Sequence, residues 1–156
     1  TVILVATVVV WFLQSFDFSL HMVSDSSESI LAVLGNFVAP AFKICGFGDW
    51  RACVALLTGV MAKESIVSSL AVLYAGGSVA SLSSVLPSVF SVQSAISFLI
   101  FALLYTPCVA ALSAINKEFE SRKLMFVSVI YQFFIAYVLS ALTFQILTLF
   151  SNMKIF

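Results

Sequence analysis

Three long stretches of this chain are apolar enough to cross a lipid bilayer, and they constrain its fold more than any other feature. They cover residues 52–75, 92–115 and 124–150, and each exceeds the roughly 20 residues that a membrane-spanning helix needs. Across the chain 62% of residues are hydrophobic and only 9% are charged, whereas soluble domains carry about 25% charged residues. The sequence therefore predicts an all-α, polytopic transmembrane helix bundle that has the lipid bilayer as a partner.

Shorter segments complete the predicted topology. Residues 1–16 indicate the end of another transmembrane helix, and they lead into a polar, acidic loop at 17–27. Residues 28–42 form an apolar run that is too short for an ordinary crossing, so we expect a short re-entrant or interfacial helix there. The run 43–51 is typical of a turn-rich connector, and residues 76–91, which are rich in Ser and Gly, indicate an uncharged loop.

The distribution of basic residues predicts the orientation in the membrane. The loop at 116–123 contains three basic residues, whereas the loop at 76–91 contains none. Because cytoplasmic loops carry the excess of Lys and Arg, we expect the first of these loops in the cytoplasm and the second outside. The sequence does not determine on which side of the membrane the 17–27 loop lies, since this depends on whether residues 28–42 cross the bilayer. The sequence thus predicts a multi-pass protein of a cell membrane.

Composition and motif content exclude several classes of function. Seven acidic and seven basic residues give a net charge of zero, so the sequence offers no basic surface for nucleic acid. Cys45, Cys53 and Cys108 form no C-x-x-C pair, which argues against a structural zinc site and against a disulfide-rich secreted scaffold. No G-x-x-x-x-G-K-S/T loop occurs, so this chain does not bind GTP by that mechanism.

Lys63 and Glu64 lie in the middle of the otherwise uncharged 52–75 stretch. A charge at the centre of a transmembrane helix costs about 2.5 to 3.5 kcal/mol and commonly marks an ion or substrate path, so we favour a functional cavity over an adjacent ion pair. In a helix, Lys63 would lie beside a stripe of small residues and face a neighbouring helix, where a carboxylate or a backbone carbonyl could satisfy it. Glu64 would be turned about 100° away, onto the side of Ser68. The stripe consists of Ala52, Ala55, Gly59 and Ala62.

A proline interrupts the 92–115 stretch immediately before a cysteine. Pro107 has no N–H to donate to the carbonyl of Leu103, so a free backbone oxygen and the Cys108 thiol are expected within a turn of each other, as in the discontinuous helices that hold ions. Cysteine sulfur suits a borderline-soft transition metal better than sodium, potassium or magnesium. A proline kink beside a cysteine that only packs is the alternative. The same helix face carries Ser94, Ser97, Tyr105 and Cys108.

Two long motifs resemble the ferrous iron transport protein B (FeoB) family. The run GFGDWRACVALLTGVMAKES covers 46–65, and LLYTPCVAALSAINKE covers 103–118. Both resemble the C-terminal membrane region of that family, which contains the second of two gate segments. The runs WFLQSFDFS and SILAVLGNFVAPAF also fit the order and spacing of the family. The motif positions that match are Gly46, Gly48, Asp49, Trp50, Arg51 and Gly59.

The resemblance implies uptake of Fe²⁺ through a bacterial or archaeal inner membrane, with iron as the transported substrate. In the family the cysteine of the Y-T-P-C motif, here Cys108, is a proposed iron contact, and Glu64 is expected to be a second metal-contacting position. Iron would be held transiently by the Cys108 sulfur with the Leu103 carbonyl or a nearby oxygen, while Lys63 would order the cavity or exclude a wrong ion. The residues expected to support the path are Lys63, Tyr105, Thr106, Pro107, Ser97 and Ser68.

The resemblance also implies parts that this sequence does not contain. Residues 1–156 would be the C-terminal transmembrane region of a larger transporter, whose N-terminal G domain and first gate are not in this chain. GTP and Mg²⁺ would bind only in that G domain, so no enzymatic activity is expected in this segment. Further expected partners are the remaining membrane helices, a small cytoplasmic accessory protein and other copies of the chain.

Two other functions compete with iron transport. A nucleoside or small-solute carrier is one, because gate-type segments are also similar to parts of nucleoside transporters. A non-transporting membrane scaffold is the other, although two charges and a proline–cysteine kink have no evident use there.

In the acidic loop, Asp17, His21 and Asp25 could gather iron outside the membrane, but their spacing matches no defined metal motif and we favour a solvated loop.

Overall fold

The computed structural model describes residues 2–17, 21–22, 27, 29–105, 108–118 and 122–153. Within these ranges every regular element is a helix, which confirms the predicted all-α fold. The described residues form eight α-helices and a short 3-10 helix at Lys43–Cys45. The α-helices are α1 Val2–Ser15, α2 Ile30–Phe42, α3 Trp50–Gly59, α4 Ser65–Ala75, α5 Val79–Val89, α6 Val92–Leu104, α7 Val109–Glu118 and α8 Arg122–Met153.

The membrane crossings differ from the three straight spans that the sequence predicts. In the described part of the chain, one helix is by itself long and apolar enough to cross a bilayer, and it covers Lys123–Met153, in agreement with the span predicted at 124–150. Two more crossings exist if each of two bent helix pairs counts as one span. These pairs are α2 with α3, bent by 100°, and α4 with α5, bent by 73°. The short helix predicted at 28–42 is confirmed as α2.

The prediction of one continuous helix at 52–75 is wrong. The chain forms α3 up to Gly59 and resumes as α4 at Ser65, with turns between them. Glycine is a poor helix former, and the break places Lys63 and Glu64 in a turn instead of a helix interior. Side chains from another part of the chain satisfy the helix ends, and such contacts are not visible in a hydrophobic pattern.

The prediction of a loop at 76–91 is also wrong, because most of this segment is α5. Gly76 ends α4 in the left-handed conformation with φ of 60°, and Ser78 begins α5 by accepting a hydrogen bond from a backbone N–H of its first turn. Inside α5, the hydroxyls of Ser83 and Ser84 donate to carbonyls three residues earlier. These local bonds satisfy the hydroxyls of exposed serines, and the buried Leu82 attaches α5 to the core.

The packing of α6 against α8 provides the scaffold that holds the end of α6. Phe101 of α6 packs edge to face on Phe133 of α8, with ring centroids 5.6 Å apart. The buried hydroxyl of Ser97 donates to the Cys45 carbonyl at 2.7 Å and lies 2.8 Å from the Ser140 hydroxyl. Since buried polar groups need partners, this network joins α6, α8 and the 3-10 helix in one arrangement.

Candidate functional site

The break between α3 and α4 leaves a backbone carbonyl available to a side chain. The Val60 N–H bonds to the Leu57 carbonyl at 3.3 Å, instead of the Leu56 carbonyl that a regular helix would use. The Leu56 carbonyl accepts a hydrogen bond from the Tyr105 hydroxyl at 2.9 Å. Because a buried carbonyl without a partner is costly, the tyrosine stabilises the end of α3.

The break after α6 has a matching arrangement. Helix α6 ends at Leu104, and Tyr105 then has an extended backbone with φ −65° and ψ 176°. The carbonyl of Leu103 accepts a hydrogen bond from the Lys63 ammonium, with 2.8 Å between Nζ and the oxygen. The expectation that Lys63 reaches a backbone carbonyl on a neighbouring helix is therefore confirmed. The Leu103 carbonyl, which the sequence predicts to be available to an ion, is occupied by this ammonium.

Each break therefore contributes a side chain that bonds to the carboxyl end of a helix at the other break. Lys63 bonds to the end of α6, and Tyr105 bonds to the end of α3. The Lys63 Nζ also lies 5.4 Å from the centroid of the Tyr105 ring, which is within cation–π range. Tyr105 is only 3% exposed. Backbone carbonyls at a buried helix break need hydrogen-bond partners, and these two contacts supply them.

Gly59 allows the two breaks to approach each other. A Cβ atom at this position would lie 2.6 Å from the Tyr105 hydroxyl oxygen and 2.4 Å from Cγ1 of Ile66. Both distances are far shorter than van der Waals contact, so a side chain at residue 59 would displace the tyrosine. Ala52, Ala55 and Gly59 are buried, as expected for the small-residue stripe of a close-packing face.

The charged pair is divided between two environments, as predicted. Lys63 is half-buried and, together with Leu103, lines an apolar cleft of about 370 Å³ between α4, α5 and α6. Glu64 is exposed, and its side chain makes no capping hydrogen bond to α4. The reason differs from the predicted one, because the chain direction changes in a turn and the two residues do not share a helix.

A second cleft, of about 380 Å³, lies where α1 faces the break. The Thr58 hydroxyl donates to the Ala55 carbonyl at 2.8 Å and lies 2.8 Å from the Ser69 hydroxyl. Ser68, expected to support the path, is exposed and lines this cleft. The polar lining residues are Thr7, Gln14, Thr58, Ser65, Ser68 and Ser69. The break therefore has an apolar cleft and a hydroxyl-rich cleft beside it.

Cys108 lies directly before α7, and its carbonyl accepts a hydrogen bond from the Leu112 N–H at 2.9 Å. Its thiol is free and partly exposed, whereas Cys45 and Cys53 are free but buried. Cys45 and Cys53 both belong to the hydrophobic core, where a small side chain packs. Cys108 thus differs from the other cysteines in being accessible beside a helix break.

Parts of the predicted site lie outside the described residues. These are Thr106 and Pro107 of the Y-T-P-C motif, and Asp25 of the acidic loop. For the other two members of that loop site, the Asp17 N–H bonds to the His21 carbonyl at 3.2 Å. Among the residues that the structure describes, no three His, Cys, Asp or Glu side chains are grouped so that they could hold a metal ion.

The G-F-G-D-W-R motif forms the start of α3 and attaches it to α4. The Asp49 carboxylate caps α3 by accepting from the Arg51 N–H at 3.3 Å, and it also accepts from the Tyr74 hydroxyl. The Arg51 guanidinium lies over the Trp50 ring at 5.1 Å and over the Tyr74 ring at 5.3 Å. The sequence did not predict the role of Tyr74, because a single aromatic residue near a helix end is not a recognisable motif.

Two other predicted positions have structural contacts. Gly46 has a φ of 85°, and a Cβ atom there would lie 2.2 Å from the Phe144 ring, so only glycine fits. Ser97, expected to support the path, is fully buried between α6 and α8 and bonds to Cys45 and Ser140. Ser140 was missed, because its partner is 43 residues away in the chain.

Comparison with known families shows similarity over most of the chain. Residues 1–122 match the Gate family, which is described as nucleoside recognition. The Fe(2+) transporter FeoB of Methanocaldococcus jannaschii is 39% identical over 147 residues, which cover 90% of this chain and 22% of that protein. The Fe(2+) transporter FeoB of Staphylococcus aureus strain MSSA476 is 39% identical over 147 residues, covering 94% of this chain and 22% of that protein.

A further relative combines two proteins in one chain. It is the Fe(2+) transport protein A/Fe(2+) transporter FeoB fusion protein of Porphyromonas gingivalis, 32% identical over 142 residues, which cover 82% of this chain and 17% of that protein. The chain therefore spans roughly a fifth of the length of the curated relatives it matches. No solved structure matches the chain significantly.

Proposed function

Because the chain belongs to the Gate family and to the membrane region of the FeoB family, we propose that it is the C-terminal gate of a transporter for Fe²⁺ uptake. The relatives that cover most of this chain are named Fe(2+) transporters. In this proposal the chain is a multi-pass part of a bacterial inner membrane protein, and Fe²⁺ is the substrate that passes it.

The observation that carries the proposal is the crossing of two helix breaks, with Cys108 directly after the second one. Discontinuous helices whose ends meet inside a bundle are the usual ion sites of membrane transporters, because carbonyl oxygens at the breaks can replace water around an ion. Here the breaks are joined by Lys63 to Leu103 and by Tyr105 to Leu56. These contacts bring together two carbonyls at helix ends and the Tyr105 ring, and the Cys108 thiol follows Tyr105 by three residues in the sequence.

The proposed path uses weak contacts at successive positions. Hydrated Fe²⁺ enters a polar cavity, loses part of its water and contacts the Cys108 sulfur, which suits a borderline-soft metal. Glu64, which is exposed, contacts the ion at another position or balances its charge. Conduction needs binding that is weak enough for the ion to leave, so single contacts at separate positions are what this function requires. The Leu103 carbonyl takes part only after the Lys63 ammonium has moved.

The proposal includes partners outside this chain. A G domain that binds GTP and Mg²⁺ would drive or gate transport, while this segment itself performs no enzymatic reaction. The name of the relative from Porphyromonas gingivalis joins a second iron transport protein to a transporter in one chain, which supports a small accessory protein as a partner. The remaining helices of the complete protein and other copies of the chain would cover apolar faces of this region.

The complete transporter, reconstituted in lipid vesicles, provides the test. Cys108→Ser and Glu64→Gln are each expected to lower the rate of iron uptake, because each removes a metal contact. Cys53→Ala is the matched control, since it removes a buried cysteine from α3 and should leave uptake per assembled protein unchanged. Unchanged uptake in both Cys108→Ser and Glu64→Gln, at normal expression, would contradict the proposed path.

A nucleoside carrier is the second candidate, because the matching family is described as nucleoside recognition. Uptake of radioactive uridine and of radioactive iron, compared in the same vesicles, separates the two functions. Iron uptake without uridine uptake supports the first, and the reverse supports the second.

A further inference from the structure

The hydroxyl-rich cleft between α1 and the break carries polar groups that are free to bind a further molecule. The side chains of Gln14, Ser65 and Ser68 line this cleft of about 380 Å³, and none of the three is hydrogen-bonded to a residue that the structure describes. Beside them, the buried hydroxyls of Thr58 and Ser69 lie 2.8 Å apart and satisfy each other. The cleft therefore presents two free hydroxyls and a free amide at a helix break.

Hydroxyls elsewhere on the surface do not need a further partner. Ser83, Ser84 and Ser88 of α5 donate to carbonyls three residues earlier, at distances of 2.7 to 2.9 Å, and such bonds satisfy a hydroxyl within its own helix. Helix α4 belongs to a bent pair that is apolar enough to cross a bilayer, where a polar group without a partner costs free energy. The free groups of the cleft therefore require water.

We propose that this cleft is filled with water and that hydrated Fe²⁺ passes through it to reach the break. The inference rests on the proposed function, which takes Fe²⁺ as the substrate, and it adds the location of the polar cavity and the groups that bind the ion there. The oxygens of Gln14, Ser65 and Ser68 accept hydrogen bonds from the water around the ion, so the contacts are indirect and weak. Conduction requires such weak binding.

The size and the charge of the cleft fit a hydrated cation. An octahedral first shell of water needs roughly 200 Å³, since each water takes about 30 Å³, and the cleft provides about 380 Å³. None of the described residues that line it is basic. The Lys63 ammonium bonds to the Leu103 carbonyl and lines the apolar cleft, whereas Glu64 is exposed directly before Ser65. The turn thus keeps the positive charge out of the hydroxyl-rich cleft.

The two clefts at the break provide matched positions for a test. Val67 and Ser68 are adjacent in α4 and both are exposed, but Val67 lines the apolar cleft and Ser68 lines the hydroxyl-rich cleft. Apolar cavities stay dry, whereas polar cavities of sufficient size hold water. A cysteine at residue 68 should therefore contact water, and a cysteine at residue 67 should not.

The first arm of the test measures access of water. Ser68→Cys and Val67→Cys are made in the complete transporter, which is reconstituted in lipid vesicles and treated with a charged methanethiosulfonate reagent. Because the thiolate is the reactive form and water favours it over apolar surroundings, modification should be at least about tenfold faster at residue 68 than at residue 67. Mass spectrometry of the modified peptides distinguishes both positions from the native cysteines. Equal rates, or no reaction at residue 68, would overturn the inference.

The second arm measures the charge of the molecule that passes. Ser68→Lys adds a positive charge to the cleft, and Ser68→Met adds a side chain of similar length without a charge. A positive charge repels a cation strongly in a low-dielectric site, so iron uptake per assembled protein should be about tenfold lower in the lysine variant than in the methionine variant. Equal uptake by the two variants would contradict the passage of a cation through the cleft.

Two further measurements keep the test decisive. Gln14→Lys and Gln14→Met make the same comparison from α1 if the variants at residue 68 do not assemble. Iron uptake by the wild type separates this inference from the proposed function. Its absence contradicts the function, whereas the rates of thiol modification depend only on whether the cleft holds water.

Discussion

Replacing Gly59 by alanine tests whether the crossing of the two breaks stabilises this region. The added Cβ atom would lie 2.6 Å from the Tyr105 hydroxyl oxygen and 2.4 Å from Cγ1 of Ile66. Ile66 can rotate only into a buried environment, since it is 6% exposed. The Tyr105 hydroxyl must then move away from the Leu56 carbonyl, which it contacts at 2.9 Å.

The expected cost has three parts. A buried carbonyl that loses its partner costs about 1 to 3 kcal/mol, and overpacking of a tight core costs about 1 to 3 kcal/mol. The gain from replacing glycine by alanine is below about 1 kcal/mol, because residue 59 is the last residue of α3 and is not in a helix interior. We therefore expect Gly59→Ala to destabilise the protein by about 1 to 6 kcal/mol.

Thermal unfolding of the purified complete transporter measures this effect, and iron uptake in vesicles measures its consequence for transport. Gly76→Ala is the reference for a methyl group added without a clash, because open space surrounds that position. Its left-handed φ of 60° still strains the alanine backbone, so a loss of about 1 to 2 kcal/mol is expected there. Adding Tyr105→Phe removes the hydroxyl that clashes, so the double variant should lose less stability than the sum of the single variants. Wild-type stability and uptake in Gly59→Ala, or strict additivity in the double variant, would refute the reasoning.

Two further substitutions address the scaffold. Ser97→Ala removes the hydroxyl that joins Cys45 and Ser140, and it should lower the free energy of unfolding by about 1 to 2 kcal/mol. Iron uptake per assembled protein should stay unchanged, and equal loss in Ser88→Ala, at an exposed serine of α5, would contradict this role. Asp49→Ala removes the cap of α3 and the partner of the Tyr74 hydroxyl, with an expected cost of about 2 kcal/mol in thermal unfolding. Asp49→Asn keeps an oxygen at the cap and should cost less, so identical losses in both variants would argue against capping.

The helical nature of the chain and its family followed from patterns that are local in sequence. Long apolar runs predict helices in lipid because backbone groups must bond within the segment, and the span at 124–150 is the helix α8. The interruption before Cys108 followed from the covalent structure of proline, which cannot donate a backbone hydrogen bond. Such features need no knowledge of what lies across the bundle.

Helix breaks and loops were predicted less well where the deciding contact is distant in sequence. The turn after Gly59 is stable because Tyr105, which is 49 residues from Leu56, satisfies the end of α3. The helix α5 forms in a segment rich in Ser and Gly because its Leu82 is buried in the core, while its serine hydroxyls find partners within the helix. Composition alone favoured a loop in that segment and a continuous helix at 52–75.

Lys63 shows which features follow from the local sequence and which depend on the tertiary structure. Its charge inside an apolar stretch already required a polar partner, because an unpaired ammonium is costly in a low-dielectric region. That the partner is the Leu103 carbonyl, 40 residues away, depends on how the bundle brings the two breaks together. The available carbonyl and the charge were both predictable from local chemistry. Their hydrogen bond depends on the tertiary structure, because it forms only when the nitrogen and the oxygen lie within about 3 Å of each other.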